Sequence, residues 1–193
     1  MNSRQLVSRA RKHLEAGRPR FDPDEGARDA LLERFLAAAE EGDLEGLETL
    51  LAEDAVLYAD GGGKVIASPE PLYGAALIAR FMAGVAQVRR RYGKFQMRMV
   101  HVNGQPGRVV RGPEEPEFGE AQRVAAARAA AEMQSTDFNA DDLADRLLTP
   151  GRDFPVPDGD EARHVWEVLT VDIVDGRIQA VRIVRNPDKL AHL

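Results

Sequence analysis

Residues 164–186 read HVWEVLTVDIVDGRIQAVRIVRN. Valine and isoleucine recur in both halves of this segment, and Asp175-Gly176 stands between the two halves. An Asp-Gly pair between two β-branched runs is a strong signal for a tight hairpin turn. The segment therefore predicts two antiparallel strands that are joined at Asp175-Gly176.

The residues before this hairpin predict helices and further strands. Apolar residues at helical spacing predict helices at 26–41 and 74–92, a short helix capped by Asp43, and a basic helix at 3–16. Strands are predicted at 55–60, 64–68, 95–104 and 107–111, with the glycines of DGGGK (60–64) in the turn between the first two. This order of elements predicts an α+β fold in which a curved antiparallel sheet is wrapped on helices.

The charge of the chain is divided unevenly along its length. The 193 residues contain 26 Lys and Arg and 32 Asp and Glu, for a net charge of −6. Residues 1–20 carry six basic residues and one acid, or +5, whereas residues 112–160 carry twelve acids and four arginines, or −8. The second segment also interrupts the strand pattern with helix-favouring stretches at 121–133 and 139–148. We therefore predict one domain with a basic leader and an acidic, helical insert.

The composition excludes several classes of protein. Hydrophobic residues form 44% of the chain, which is enough for a core, and no apolar run approaches the roughly 20 residues of a membrane span. The basic N-terminus lacks the apolar stretch of a secretory signal. The chain has no cysteine and only four histidines, without an HExxH motif, so we expect no metal site and no cofactor. These features fit a cytoplasmic protein.

The order of elements resembles the SnoaL-like, nuclear-transport-factor-two-like fold, a cone of bent antiparallel sheet closed by helices. Two short motifs make the resemblance more specific. DGGGK (60–64) and NPDKL (186–190) look like the signature pair of the SnoaL-like C-terminal extension of one group of extracytoplasmic-function (ECF) sigma factors. The leader NSRQLVSRARKHLEAGRPRF (2–21) looks like the end of sigma region four in the same group. The resemblance covers about residues 2–111 and 164–193.

This resemblance implies a division of the chain into two parts. Residues 1–20 would be a remnant of the recognition helix of sigma region four, and residues 21–193 a SnoaL-like domain that includes the insert at 112–160. No segment resembles sigma region two or the first helix of the region-four helix-turn-helix. We therefore expect that the chain is not a complete sigma factor by itself. On this expectation it would be a detached extension, the product of a split or truncated gene, or a fragment prepared for expression.

The motif pair implies a regulatory interface with sigma regions two and four or with core RNA polymerase. In this interpretation the tail that carries NPDKL reaches toward DGGGK or toward the sigma core. Three glycines in a row exceed what a hairpin turn needs, which favours a surface contact over a plain turn. The alternative is a hairpin turn at 60–64 and a strand terminator at Asn186-Pro187 followed by a solvated tail. The predicted interface residues are Asp60, Gly61, Gly62, Gly63, Lys64, Asn186, Pro187, Asp188, Lys189 and Leu190.

The leader carries a predicted DNA contact that depends on the missing sigma regions. Its candidate residues are Arg4, Gln5, Arg9, Arg11 and Lys12. A recognition helix without its supporting helix cannot dock by the usual geometry, and a lone helix buries little surface. In the isolated chain, the leader is therefore expected to be an orphan helix that packs nearby or frays.

A cone fold is concave, and a concave apolar site is the usual location for a small-molecule ligand. The residues predicted to line such a pocket are Tyr58, Phe81, Met97, Met99, His101 and Trp166. An enzyme related to ketosteroid isomerases would use Asp60 or His101 as base and Tyr58 as hydrogen-bond donor. However, Asp60 lies at a turn and His101 stands alone in the sequence, so no catalytic residue is predicted.

Three hypotheses remain in order of preference. The first is a non-enzymatic regulatory module of an ECF-type sigma factor, which modulates transcription initiation through contacts with sigma or core RNA polymerase. The second is a free-standing small-molecule-binding protein or an isomerase- or cyclase-like enzyme that uses the cone pocket. The third is a homodimeric scaffold that pairs through the outer face of the sheet.

Overall fold

The computed structural model describes residues 25–65, 67–68, 70–92, 95–112 and 164–193. Within these ranges the helices are α1 (Glu25–Glu41), α2 (Leu44–Leu50), α3 (Ala75–Tyr92) and α4 (Pro187–Leu190). The strands are β1 (Leu51–Asp60), β2 (Leu72–Tyr73), β3 (Gln96–Val102), β4 (Gln105–Gly112), β5 (His164–Val174) and β6 (Arg177–Val184). The predicted leader helix, its DNA-contact residues and the helices of the insert lie outside the described residues.

The described strands form one six-stranded sheet in the order β2-β1-β6-β5-β4-β3. Four of the five neighbouring pairs are antiparallel, as predicted, but β1 and β6 run parallel. Antiparallel neighbours are usually joined by a short hairpin, whereas parallel neighbours require a long connection. Most of the domain separates β1 from β6, so no hairpin constrains their relative direction. The predicted curved antiparallel sheet is confirmed, with β1 and β6 as one parallel pair within it.

The predicted hairpin at 164–186 is confirmed. Asp175 and Gly176 have φ values of 50° and 74°, as a type I′ turn requires. The β3–β4 hairpin has the same arrangement, with φ values of 52° at Asn103 and 76° at Gly104. These local turns fix the register of two neighbouring strand pairs.

The return strand predicted at 64–68 is wrong. The N–H groups of Lys64 and Val65 donate to the carbonyl oxygen of Gly61 over 3.1 and 3.3 Å, so these donors are used within the turn. None of the described residues of 64–68 forms a strand. The antiparallel neighbour of β1 is instead β2, through Leu57 opposite Leu72 and Val56 opposite Tyr73.

The core lies between the helices and the inner face of the sheet. Both long helices bury apolar residues that recur at helical spacing. These residues are Leu31, Leu32, Phe35, Leu36 and Ala39 in α1, and Ile78, Phe81 and Met82 in α3. On the sheet, Leu57, Leu169 and Val181 are completely buried. Side chains alternate between the two faces of a strand, so Tyr58, next to Leu57, lies on the outer face. Asp43 caps α2 as predicted, since its carboxylate accepts a 2.9 Å hydrogen bond from the N–H of Gly46.

Candidate regulatory interface

The parallel pairing of β1 and β6 brings the two motifs to the same edge of the sheet. Asp60, the last residue of β1, lies opposite Val184, the last residue of β6. DGGGK continues from β1 at this edge and NPDKL follows β6. The N–H of Arg185 donates to the carbonyl oxygen of Asp60 over 2.8 Å, which extends the pairing to the first residue after β6.

Two reciprocal ion pairs join the motifs. Nζ of Lys64 lies 2.6 and 2.7 Å from the two carboxylate oxygens of Asp188. Nζ of Lys189 lies 2.7 Å from Oδ2 of Asp60. Each motif thus supplies one acid and one lysine, and the resulting pairs neutralise all four charges. We call residues 60–64 and 186–190, joined in this way, the clasp.

Local hydrogen bonds shape both halves of the clasp. Oδ1 of Asp60 accepts from the N–H of Gly62 over 2.9 Å, and Oδ1 of Asn186 accepts from the N–H of Asp188 over 3.1 Å. Asn186 thereby caps α4, in which Pro187 occupies the first turn and needs no partner for its nitrogen. Leu190 is buried, and α4 contacts β5.

The hydrogen bond from Lys189 lowers the pKa of the Asp60 carboxyl group below its usual value, and the Gly62 N–H lowers it further. Asp60 is therefore ionised at neutral pH, as its pairing requires. Each ion pair is largely exposed to solvent, with Lys64 and Asp188 exposed by 54% and 67%. Such pairs contribute only about 0.2–1 kcal/mol each, so the clasp closes without a large gain in free energy.

Each glycine of the turn has a structural reason within this chain. A Cβ at Gly61 would lie 2.5 Å from the carbonyl oxygen of Val65. Gly62 has a φ of 62°, and its Cβ would lie 2.4 Å from Cγ of Asn186. Gly63 has a φ of 69°. The conformation of the turn at Gly61 and Gly63, and the approach of Asn186 at Gly62, thus account for the glycine run, which does not by itself indicate an external partner.

The structure does not bring the six predicted pocket residues together. Tyr58 lies on the outer face of the sheet with the Arg182 guanidinium 5.8 Å from its ring centre, whereas Phe81 is in the core on the opposite side. Trp166 packs edge-to-face on Phe95 with ring centres 4.9 Å apart.

The remaining three predicted pocket residues, Met97, Met99 and His101, are on β3 and are exposed or nearly so. Nε2 of His101 lies 2.9 Å from Oδ1 of Asp29 in α1. It therefore faces neither Tyr58 nor Asp60, and the predicted base and donor do not converge.

Beneath α1 and α3, the concave face of the sheet carries a cluster of four charged side chains that the sequence analysis missed, three of them buried and Glu40 partly exposed. We call Glu40, Arg89, Arg108 and Glu167 the inner network. Nη2 of Arg108 lies 2.9 Å from Oε1 of Glu167, and Nη2 of Arg89 lies 2.6 Å from Oε1 of Glu40. The Arg108 and Glu167 side chains are only 3% and 7% exposed.

Burial alone would raise the pKa of Glu167, but Arg108, Arg89 and Arg185 outweigh it and lower that pKa. Burial lowers the pKa of Arg108, and Glu167 opposes this effect. An ion pair this deeply buried is costly to break, because one partner would be left as an uncompensated charge. Its trace in the sequence is a glutamate at an inward position of β5, between Trp166 and Val168.

Outside the clasp, the described residues form an open groove but no metal-binding group and no membrane-spanning helix. A wide, open groove of about 570 Å³ lies at the start of α3, beside Glu48, Glu53, Tyr73 and Arg80. Within the described ranges, no group of three or more His, Asp or Glu side chains is placed to hold a metal ion. None of the described helices is long and apolar enough to cross a membrane.

The fold and the comparison with known families define the class of this protein. The sequence model of the SnoaL-like domain family matches residues 32–181, and the chain belongs to that family. The mixed α+β architecture with its curved six-stranded sheet agrees with this assignment.

Within that class, the chain is similar to the ECF RNA polymerase sigma factor SigJ of Mycobacterium tuberculosis. The two sequences are 34% identical over 116 residues, which cover 57% of this chain and 36% of the sigma factor. The crystal structure of SigJ matches with a TM-score of 0.51 and 21% identity, over 97% of this chain and 50% of that chain. This chain thus spans half or less of its relative.

A crystal structure of a putative ketosteroid isomerase from Kribbella flavida is 15% identical, with a TM-score of 0.40 over 82% of this chain and 77% of that one. A likeness at this level gives no support to an isomerase activity.

Proposed function

We propose that this chain is the cytoplasmic regulatory extension of an ECF-type sigma factor, which modulates transcription initiation through contacts with sigma regions two and four or with core RNA polymerase. The similarity to SigJ supports the relation to sigma factors. The observation that carries the proposal is the clasp, because it joins the two signature motifs into one surface.

The clasp has the properties of a preorganised contact surface. The two ion pairs hold the charged groups in a defined arrangement. The side chains of Lys64, Asp188 and Lys189 nevertheless remain 54%, 67% and 65% exposed to solvent. A partner that binds this arrangement does not have to order a flexible tail, which reduces the entropic cost of association. The clasp presents two positive and two negative side chains with no net charge. A complementary partner surface must therefore place opposite charges against each of them.

Binding of the chain to sigma regions two and four, and to core RNA polymerase, tests the proposal. Deletion of 186–193 and the double change Asp60→Ala with Lys64→Ala are expected to weaken binding. The variant Asp172→Asn is the matched control, because it removes an exposed ion pair with Arg182 on the outer face without changing a residue of either motif. Unchanged binding after both clasp changes would exclude the proposed contact.

A DNA contact through the leader belongs to the same proposal. Arg4, Gln5, Arg9, Arg11 and Lys12 would contact DNA only when the other sigma regions are supplied. The test is DNA binding by this chain with and without a fragment that carries those regions. Equal binding in both cases would contradict this part of the proposal.

A further inference from the structure

The first half of β3 presents two exposed methionines on the concave side of the sheet. Met97 and Met99 are 45% and 36% exposed. Nη1 of Arg108 donates to the sulfur of Met97 over 3.7 Å, and Arg108 is also the register partner of Met99. Because Arg108 points into the inner network, both methionines lie on the same face of the sheet as that network. We call Met97 and Met99 the methionine ledge.

Helix α1 covers the second half of the same face of β3. Nε2 of His101 lies 2.9 Å from Oδ1 of Asp29 in α1. The guanidinium of Arg28, also in α1, donates to Oε1 of Gln105 at the start of β4. The ledge lies beyond these contacts and keeps a large exposed fraction. The concave face of β3 is therefore covered at one end and open at the end that carries the methionines.

The acidic insert leaves and re-enters the sheet beside the ledge. β4 ends at Gly112 and β5 begins at His164, and these two residues are register partners. Both ends of residues 113–163 are therefore held about 5 Å apart. Gln96, at the start of β3, lies opposite Arg111, the residue before Gly112. The insert thus starts and finishes next to the open end of the face of β3.

The second helix-favouring stretch of the insert, NADDLADRLL (139–148), has one apolar face. Its apolar residues recur at i, i+3, i+4, i+7 and i+8, the spacing that places side chains on one side of a helix: Ala140, Leu143, Ala144, Leu147 and Leu148. A helix this short is marginal in water and needs a surface to pack on. Residues 149–163, which lead to β5, can span up to roughly 50 Å, so the ledge is within reach.

Charge and tethering favour the insert as the occupant of the ledge. Residues 112–160 carry a net charge of −8, whereas α3 ends on RRRY (89–92), three residues before β3 begins. The side chain of Arg90, in this last turn, is 46% exposed, and its Nε lies 3.9 Å from Oε2 of Glu40. An acidic segment is attracted to such a basic end. A second copy of the chain would have to bind from solution, at a far lower effective concentration than a tethered segment.

We propose that residues 139–148 form a helix that docks on the methionine ledge. Leu143 and Leu147 on its apolar face pack against Met97 and Met99, and its acidic side faces the basic end of α3. The insert then extends the core past β3 and is part of the domain. This docking does not depend on the proposed function. Its failure leaves that function standing, and loss of binding to sigma or polymerase leaves the docking standing.

Disulfide trapping in the full chain tests the docking. The chain contains no cysteine, so an engineered pair has no competing thiol. Met99→Cys is combined with Leu143→Cys in one variant and with Leu147→Cys in another, and both are oxidised at low protein concentration. At least one pair is expected to close within the molecule about tenfold faster than the same pair with Arg98→Cys in place of Met99→Cys. Arg98 is the matched control because it neighbours Met99 but points to the opposite face of β3.

Amide hydrogen exchange provides a second test without cysteines. Met99→Asp places a charge on the ledge and is expected to speed exchange in residues 139–148 by about tenfold. Val174→Asp is the control, because Val174 is also apolar and 39% exposed but lies at the opposite end of β5 from His164. It leaves exchange in 139–148 unchanged. Slow exchange at Leu57 and Leu169 shows in each variant that the core of the sheet is intact.

The proposal is overturned if the cysteine pairs with Met99→Cys and with Arg98→Cys close at the same rate. It is also overturned if Met99→Asp leaves exchange in residues 139–148 as it was. A native chain that dimerises, with Met99→Cys alone linking two copies and Met99→Asp abolishing the dimer, would assign the ledge to a second copy and likewise exclude docking of the insert.

Discussion

Nζ of Lys64 lies within 2.7 Å of both carboxylate oxygens of Asp188, across 124 positions of sequence. This contact exists because β1 and β6 run parallel and end at the same edge of the sheet. The clasp is therefore a product of topology, and several of its properties can be tested separately.

Gly62→Ala is expected to loosen the clasp more than Gly63→Ala does. Both positions have positive φ, 62° and 69°, so the backbone cost of alanine is similar at the two sites. Only at Gly62 would the new Cβ meet Asn186, whereas nothing lies within 4 Å of it at Gly63. Hydrogen exchange of residues 186–190 measures the difference. Equal effects of the two variants would show that Asn186 does not restrict position 62.

Single and paired changes in the inner network are expected to differ sharply. Glu167→Leu leaves two buried arginines with less negative charge and should cost roughly 3–5 kcal/mol of unfolding free energy. Adding Arg108→Met removes the excess charge, so the double variant should be more stable than the single one. Chemical denaturation measures both. A double variant less stable than Glu167→Leu would contradict the assignment of these two residues as mutually compensating charges.

The stability contributed by the clasp is expected to fall in acid. The pKa of Asp60 is lowered in the folded chain from its usual 3.8, so ionised Asp60 stabilises the fold above that value. This contribution is lost as the pH falls below 3.8 and through the folded-state pKa. Unfolding free energies from pH 7 to pH 3 should therefore converge between the native chain and Asp60→Asn. A constant difference between the two across this range would count against the pairing of Asp60 with Lys189.

Local signals were sufficient for much of the fold. Asp175-Gly176 predicts its hairpin because the two residues themselves adopt the required φ values. Asp43 predicts the start of α2 because the cap is formed with Gly46, three residues away. The apolar stripe of α1 predicts its buried face, since helical spacing alone decides which side chains share that face.

Non-local relationships could not be predicted in the same way. The parallel direction of β1 and β6 depends on how the rest of the domain is connected. The turn at 61–65 closes on itself through the carbonyl of Gly61, so the valine after Lys64 does not begin a strand. Tyr58 was predicted to line a pocket, but alternation along β1 places it on the outer face.

The residues of the candidate site were predicted, and contact between the two motifs was one of two alternatives for the tail. Both motifs were identified from resemblance, and their proximity in the structure was only one of the arrangements that the sequence allowed. The inner network was not foreseen, because Glu167 and Arg108 become partners only when β4 and β5 pair. The sequence signal for this pair was a charged residue at an inward-facing position of β4 and another at an inward-facing position of β5.

The most direct test of the account is to reverse the Lys64–Asp188 pair and measure binding to sigma regions two and four and to core RNA polymerase. If the clasp as a unit forms the contact, Lys64→Asp alone weakens binding on the order of tenfold. Adding Asp188→Lys then restores binding, because the reversed pair closes the clasp again. Full binding by Lys64→Asp would contradict the account, as would a double variant that binds no better than the single one.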